Sequence, residues 1–278
     1  MTHADYHADY THLSRSMAEV YRRSPAEYRA RYVDSTTTDA TPTDAMRLGT
    51  LLHLRVLEPD AWATTVAVAA SYDRRTKAGK AAAEEQAEDL RGRTVITAAE
   101  YVRVSGMAAA IEAHPAATAL LAVPGPSEHV IRWTTDIVPR RAMLDRIADD
   151  AVIDLKTSRD VSPDAFARSI ATYGYHRQAA WYLDAARADG RDVRWYAMIA
   201  IRSSAPYDVA VYELDETSIE FGRQQNRETI NAIADSMISG EWLAPWQRGL
   251  QSISLPPWAQ PRDADLALMI DGAPLEGL

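Results

Sequence analysis

The sequence has no cysteine, which excludes disulfides, thiolate zinc sites and cysteine-held iron–sulfur clusters. Any metal must then be held by oxygen or imidazole ligands. Lysine is nearly missing too: Lys77, Lys80 and Lys156 are the only three, and every other basic side chain is arginine. Guanidinium is planar, bulky and permanently charged, so a chain that avoids lysine is expected to keep it where a compact ammonium is needed. There is no long apolar run either. Stretches such as 108–111 fall far short of the ~20 residues that span a bilayer. The opening MTHADYHADYTHL carries histidines and acids where a secretory signal has a basic and then an apolar stretch. A soluble, cytoplasmic protein with no membrane partner is expected.

With 278 residues, 47% hydrophobic and 25% charged, the chain resembles an ordinary globular protein and can bury one large core. The expectation is a single domain over 1–278, with a mainly helical part at 13–115, a core at 116–259, and tails at 1–12 and 260–278. The net charge of -9 opposes unspecific attraction to a polyanion, so nucleic-acid binding requires local basic clusters. Candidates are Arg22, Arg23, Arg29 and Arg31; Arg74, Arg75, Lys77 and Lys80; and Arg140, Arg141 and Arg146. Each is equally readable as a solvated face balanced by nearby acids.

Residues 13–32 read as helical with a break at Ser24-Pro25, and 34–43 as a loop. The spacing of Met46, Leu48, Leu51, Leu52 and Val56 predicts a buried helix ending before Glu58-Pro59. Residues 60–95 read as irregular apart from a charged helix at 76–90. A capped helix follows at 97–112. Beyond the Pro124-Gly125-Pro126 turn, three strands at 128–133, 140–147 and 151–156 suggest a meander. Helices at 162–170 and 175–188, strands at 193–201 and 207–212, and a long helix at 215–238 complete a mixed α/β pattern around one central sheet.

On a strand, Asp154 and Lys156 share a face while Ile153 and Leu155 take the other. A carboxylate beside an ammonium suits phosphodiester hydrolysis, which needs a hard cation, a positioned water and positive charge near the developing negative charge. Asp145, in the preceding strand, could join the same cation. By itself an Asp-x-Lys is also the pattern of a simple ion pair. Gln178 and Tyr182, four apart on a helix, could orient a water or phosphate and hydrogen-bond a nucleic-acid backbone, or be a surface amide beside a half-buried tyrosine. His53 lies four residues after Gly49 on an apolar helix, placing it either as an imidazole ligand or as a hydrogen-bonded core residue. Glu128 opens the first strand and could reach the site or remain a surface acid.

Taken in order, Gly49-xxx-His53, Glu128, Asp145, Asp154-x-Lys156 and Gln178-xxx-Tyr182 resemble the RecB-like branch of the PD-(D/E)XK nucleases. The stretches LGTLLHLRVLEP (48–59), DRRTKAGK (73–80), RTVITAAE (93–100), YGYHRQAAWYLDA (173–185) and SLPPWA (254–259) resemble the nuclease region of RecE, or exonuclease VIII. The similarity runs from about residue 13 to 259. It implies a restriction-endonuclease-like α/β core, a central mixed sheet flanked by helices, with an N-terminal helical elaboration.

The resemblance also implies a magnesium-dependent exodeoxyribonuclease, with manganese an alternative ion. Such an enzyme attacks linear duplex ends from the 5′ side and leaves 3′ tails for a RecT-like annealing protein in phage-type recombination. Asp145, Asp154 and His53 would then hold metal, and Lys156 would activate water. Gln178 and Tyr182 would close the site, and Glu128 would be a further catalytic carboxylate. A ring-shaped homo-oligomer is implied, its channel lined by Arg22, Arg23, Arg74, Arg75, Lys77 and Lys80. Leu144 stands where the superfamily pattern has proline. A PD-(D/E)XK endonuclease and a catalytically silent DNA-end-binding scaffold are the competing expectations.

Overall fold

The computed structural model describes residues 3–37, 41–73, 75–135, 138–256 and 259–260. It divides into two compact units, Met1–Trp242 and Leu243–Leu278. The helical N-terminal part comprises α1 (His3–Ala8), α2 (Arg15–Arg23), α3 (Pro25–Tyr28) with a π-helical turn to Val33, α4 (Asp44–Leu57), α5 (Pro59–Thr65), β1 (Val66–Val68), α6 (Lys77–Asp89), β2 (Thr94–Ile96), α7 (Ala98–Ala113) and α8 (Pro115–Ala122). Then follow β3 (Ser127–Thr135), β4 (Val138–Ala148), β5 (Ala151–Ser158), α9 (Pro163–Tyr173), α10 (Tyr175–Ala188), β6 (Trp195–Arg202), β7 (Val209–Glu213) and α11 (Glu216–Ser239). In the second unit a 3-10 turn spans Pro245–Gln247, where the Gln247 side chain accepts the Ala244 N–H at 2.8 Å.

Local chemistry sets the boundaries. Ser24 ends α2 and caps α3, whose first residue is Pro25. Thr43 caps α4, and Thr97 with Glu100 forms a reciprocal capping box on α7, satisfying N–H groups that a helix start leaves open. Gly174, at φ 67°, breaks α9 from α10 in a conformation that costs glycine little. The region 60–95 departs from its irregular reading. It contains α5 and two three-residue strands, β1 and β2, paired in parallel. Strands so short show no periodicity, and their pairing partners are distant in sequence.

The main sheet runs β3-β4-β5-β6-β7. β3, β4 and β5 form an antiparallel meander, β5 and β6 are parallel across the α9–α10 connection, and β7 is antiparallel to β6. One face packs Leu144, Ile147, Val152 and Met198 against Trp181 and Leu183 of α10, Ile233 of α11 and Met17 of α2. The other packs Ile153, Leu155, Ile199 and Ile201 against Leu51 and Leu52 of α4 and Val104, Met107 and Ile111 of α7. Each such buried aliphatic side chain contributes ~1.5–3 kcal/mol of transfer free energy, so both faces anchor the strands that carry the polar residues. The architecture is the mixed α/β sheet with flanking helices anticipated from the sequence. Among the described residues, no helix is long and apolar enough to cross a membrane.

Candidate active site

β4 and β5 pair only through Arg146↔Ile153, Ile147↔Val152 and Ala148↔Ala151. Past Arg146 and Ile153 the ladder gives way to side chains. The Leu155 N–H points toward β4, and it donates to Asp145 Oδ2 at 2.8 Å. The Leu155 carbonyl, on the same side, is 2.9 Å from His53 Nε2 of α4. Buried backbone groups must find partners, so a carboxylate and an imidazole stand in for a missing strand. α4 packs beside β5 at Gly49, where an added Cβ would make only an ordinary contact, 3.9 Å from Thr157 Oγ1.

The carbonyl can only accept, so His53 Nε2 carries a proton and the neutral ring presents its lone pair at Nδ1. That Nδ1 faces Asp145 Oδ2 at 3.5 Å and Glu128 Oε1 at 3.6 Å. Glu128 is directed there from β3, between the Ser127↔Arg146 and His129↔Leu144 pairs, with its backbone in the left-handed region at φ 47°. One donor atom from each of His53, Glu128 and Asp145 falls within 4.8 Å of the others. Burial alone would lower the His53 pKa, but the charges of Asp145 and Glu128 prevail and raise it to about 9. A lone pair and two carboxylates meeting at one point call for a cation, a proton or a metal ion. One imidazole and two hard oxygen donors fit a divalent ion.

Asp154 is fully buried. Its Oδ1 accepts Gln178 Nε2 at 3.1 Å, and its Oδ2 lies 2.5 Å from Lys156 Nζ. Beyond this ion contact Oδ2 has no partner that meets hydrogen-bond geometry. Burial pushes the Asp154 carboxyl up to about 6; Lys156 opposes the rise and Asp145 adds to it. Lys156 also rests over the Tyr175 ring, 4.8 Å from its centroid. The unsatisfied Oδ2 gives the site a further oxygen donor facing charge. A cleft of about 870 Å³ opens here, lined by His53, Lys156, Thr157, Arg103, Arg159 and Tyr175 among others.

The structure thus brings His53, Glu128 and Asp145 into one cluster and Asp154, Lys156 and Gln178 into a contiguous pair of contacts. Glu128, rather than Asp154, is the third member of the convergent set. Tyr182 is partly buried against the core on the α10 side. Burial, then Tyr6 and the two aspartates, hold its hydroxyl well above the usual phenol range, and Gln178 is its polar neighbour.

The basic residues named for the channel of a ring lie apart from this cleft. Arg22 reaches Thr229 Oγ1 on α11 at 2.9 Å, Arg23 pairs with Glu27 at 2.6 Å, and Arg75 pairs with Asp73 at 3.1 Å. Lys77 and Lys80 are exposed on α6. None of these five lines the cleft. Arg74, Pro257 and Trp258, and the tail from 261 onward, lie outside the described residues. The sequence reading passed over Arg103, Arg159 and Tyr175. Of these only Tyr175, beginning the Gln178 helix, carried a local signal.

A helix-flanked mixed sheet, opened between two strands and lined there with carboxylates, an imidazole and a lysine, defines the PD-(D/E)XK class of fold. The family described as "PDDEXK-like domain of unknown function (DUF3799)" matches residues 14–244, and the chain belongs to it. A Eubacterium rectale protein provisionally described as an exonuclease shares the fold, with TM-score 0.61 at 12% identity over 92% of this chain and 95% of that one. The alkaline exonuclease of Laribacter hongkongensis aligns at TM-score 0.42 and 14% identity, over 86% and 95% of the two chains. No curated protein sequence matches the chain.

Proposed function

We propose that the protein is a divalent-metal-dependent exodeoxyribonuclease of the RecE type, acting on linear duplex DNA. The observation that carries this reading is the convergence of His53, Glu128 and Asp145 on one point, beside the Asp154–Lys156 pair, with His53 and Lys156 lining the cleft. His53, Glu128 and Asp145, with Asp154 within their electrostatic influence, would hold magnesium or manganese. Such an ion polarises a phosphate oxygen and lowers the pKa of a bound water.

The chain's own groups do the rest. Asp154 and the Tyr175 ring fix the Lys156 ammonium at the cleft, where it can donate to a water or to the developing phosphate charge. Gln178 keeps Asp154 from rotating. Arg103 and Arg159, with Thr157 and Ser158, offer the cleft's donors to a phosphodiester backbone. Such local positive charge is what a chain of net charge -9 needs for a polyanion.

The exonuclease description of the Eubacterium rectale neighbour and the RecE-like stretches support attack from an end. By the same resemblance the direction is 5′ to 3′, the products are 3′ tails for a RecT-like annealing protein, and the working form is a ring of identical chains in the cytoplasm. The test is a time course on linear duplex labelled at either end, with and without magnesium, beside closed circular and single-stranded DNA. Magnesium-dependent release from the 5′-labelled end alone is expected. Cleavage of the circle points to an endonuclease, and DNA binding without cleavage points to a silent end-binding scaffold.

A further inference from the structure

The side of Asp154 that Gln178 does not hold faces a residue with no place in the motifs. Tyr196 of β6 is fully buried, and its hydroxyl has no hydrogen-bond partner. Asp154 Oδ2 is in the same condition. The parallel register pairs Val152 with Tyr196 and Asp154 with Met198, so Asp154 and Tyr196 lie on one face, one pair apart on adjacent strands. Buried polar atoms without partners are rare and costly. Two of them on neighbouring positions of the same face, one a donor and the other an anionic acceptor, complete each other. A phenol hydroxyl carries one proton to donate.

We infer that Tyr196 is a positioning residue for Asp154, its hydroxyl donating to Oδ2 from the neighbouring strand. Lys156 now lies against that same oxygen, yet it also opens onto the cleft. When the ammonium turns to a water or a phosphate, Asp154 Oδ2 loses that contact while still buried. Gln178 on one oxygen and Tyr196 on the other then keep the carboxylate aimed. Tyr182 does not supply this, because its polar neighbour is Gln178.

The catalytic consequence rests on the nuclease reading, whereas the contact itself does not, and one experiment separates them. A double-mutant cycle of Tyr196→Phe and Asp154→Ala is run on the full chain without metal, with thermal unfolding as the readout. Tyr196→Phe is expected to lower Tm by ~2–4 °C in the wild-type background and to leave it unchanged beside Asp154→Ala. Equal shifts in both backgrounds overturn the contact. Asp154→Leu supplies a background without an acceptor if the alanine variant does not fold. On linear duplex DNA with magnesium, Tyr196→Phe is expected to reduce kcat about tenfold with KM unaltered. An unaltered kcat, or a loss confined to KM, overturns the positioning role. A wild-type chain that cleaves nothing sinks the nuclease reading, and the unfolding cycle still decides whether Tyr196 holds Asp154.

Discussion

The two ends of the β4–β5 pair are only a few residues apart and are held together by different forces. At the closed end, Ile147 and Val152 are cross-strand partners, one in contact with 1% and the other with 0% of its surface exposed. There the backbone ladder and apolar packing leave no polar group over. At the open end, Asp145 and His53 take the two Leu155 backbone groups, and Asp154 leans on Lys156 and Gln178. The lesson is that the reactive groups also serve as structural replacements for a ladder. Removing one of them disturbs chemistry and local order together, whereas removing a closed-end side chain touches stability alone.

That contrast can be broken most sharply at Lys156. Lys156→Ala is expected to lower magnesium-dependent cleavage ~10²–10³-fold, the scale for losing one preorganised donor to developing charge, and to lower Tm as well, because it leaves the buried Asp154 carboxylate without its cation. At the closed end, Ile153→Ala is expected to cost ~2–4 kcal/mol in denaturant unfolding and to leave the rate per folded molecule unchanged. A comparable activity loss there erases the distinction between the ends.

His53→Ala sits between these extremes, because the ring serves both the Leu155 carbonyl and the carboxylate cluster. A weakening of metal affinity by ~10–100-fold, the scale for outer or single-ligand losses, should be measurable by calorimetric titration of manganese. The smallest effect concerns pH. The folded His53 pKa of about 9 lies above its ordinary ~6.5, so the imidazolium's contribution is complete below ~6.5 and is lost as pH rises through 9. In chelator, Tm should therefore fall across that window. His53→Gln or excess magnesium should flatten the slope.

Much of this was readable from the sequence because a strand alternates. Asp154 and Lys156 share a face for the same reason that Ile153 and Leu155 share the other, and caps at Thr43, Thr97 and Asp215 mark helix starts by chemistry that acts over three residues. What escaped depends on docking. His53 meets Leu155 because α4 is seated closely on β5, and nothing in the helix's own pattern says which carbonyl it will find. Tyr196 faces Asp154 through the register of a parallel pair formed across α9 and α10, which alternation within either strand leaves free. Two arginines show the converse: Arg22 and Arg23 cluster in sequence, but half-buried Arg22 donates to α11 and exposed Arg23 pairs with Glu27.

Glu128 carries its carboxylate on a backbone turned to φ 47°, where a residue with a Cβ is disfavoured. The protein tolerates a locally poor conformation so that one oxygen can join a crowd of negative charge. Selection for robustness and selection for activity pull in opposite directions at this single position. Glu128→Gly should yield a chain that resists heat at least as well as its parent and works less well, the mark of a residue kept for what it does and not for how well it fits.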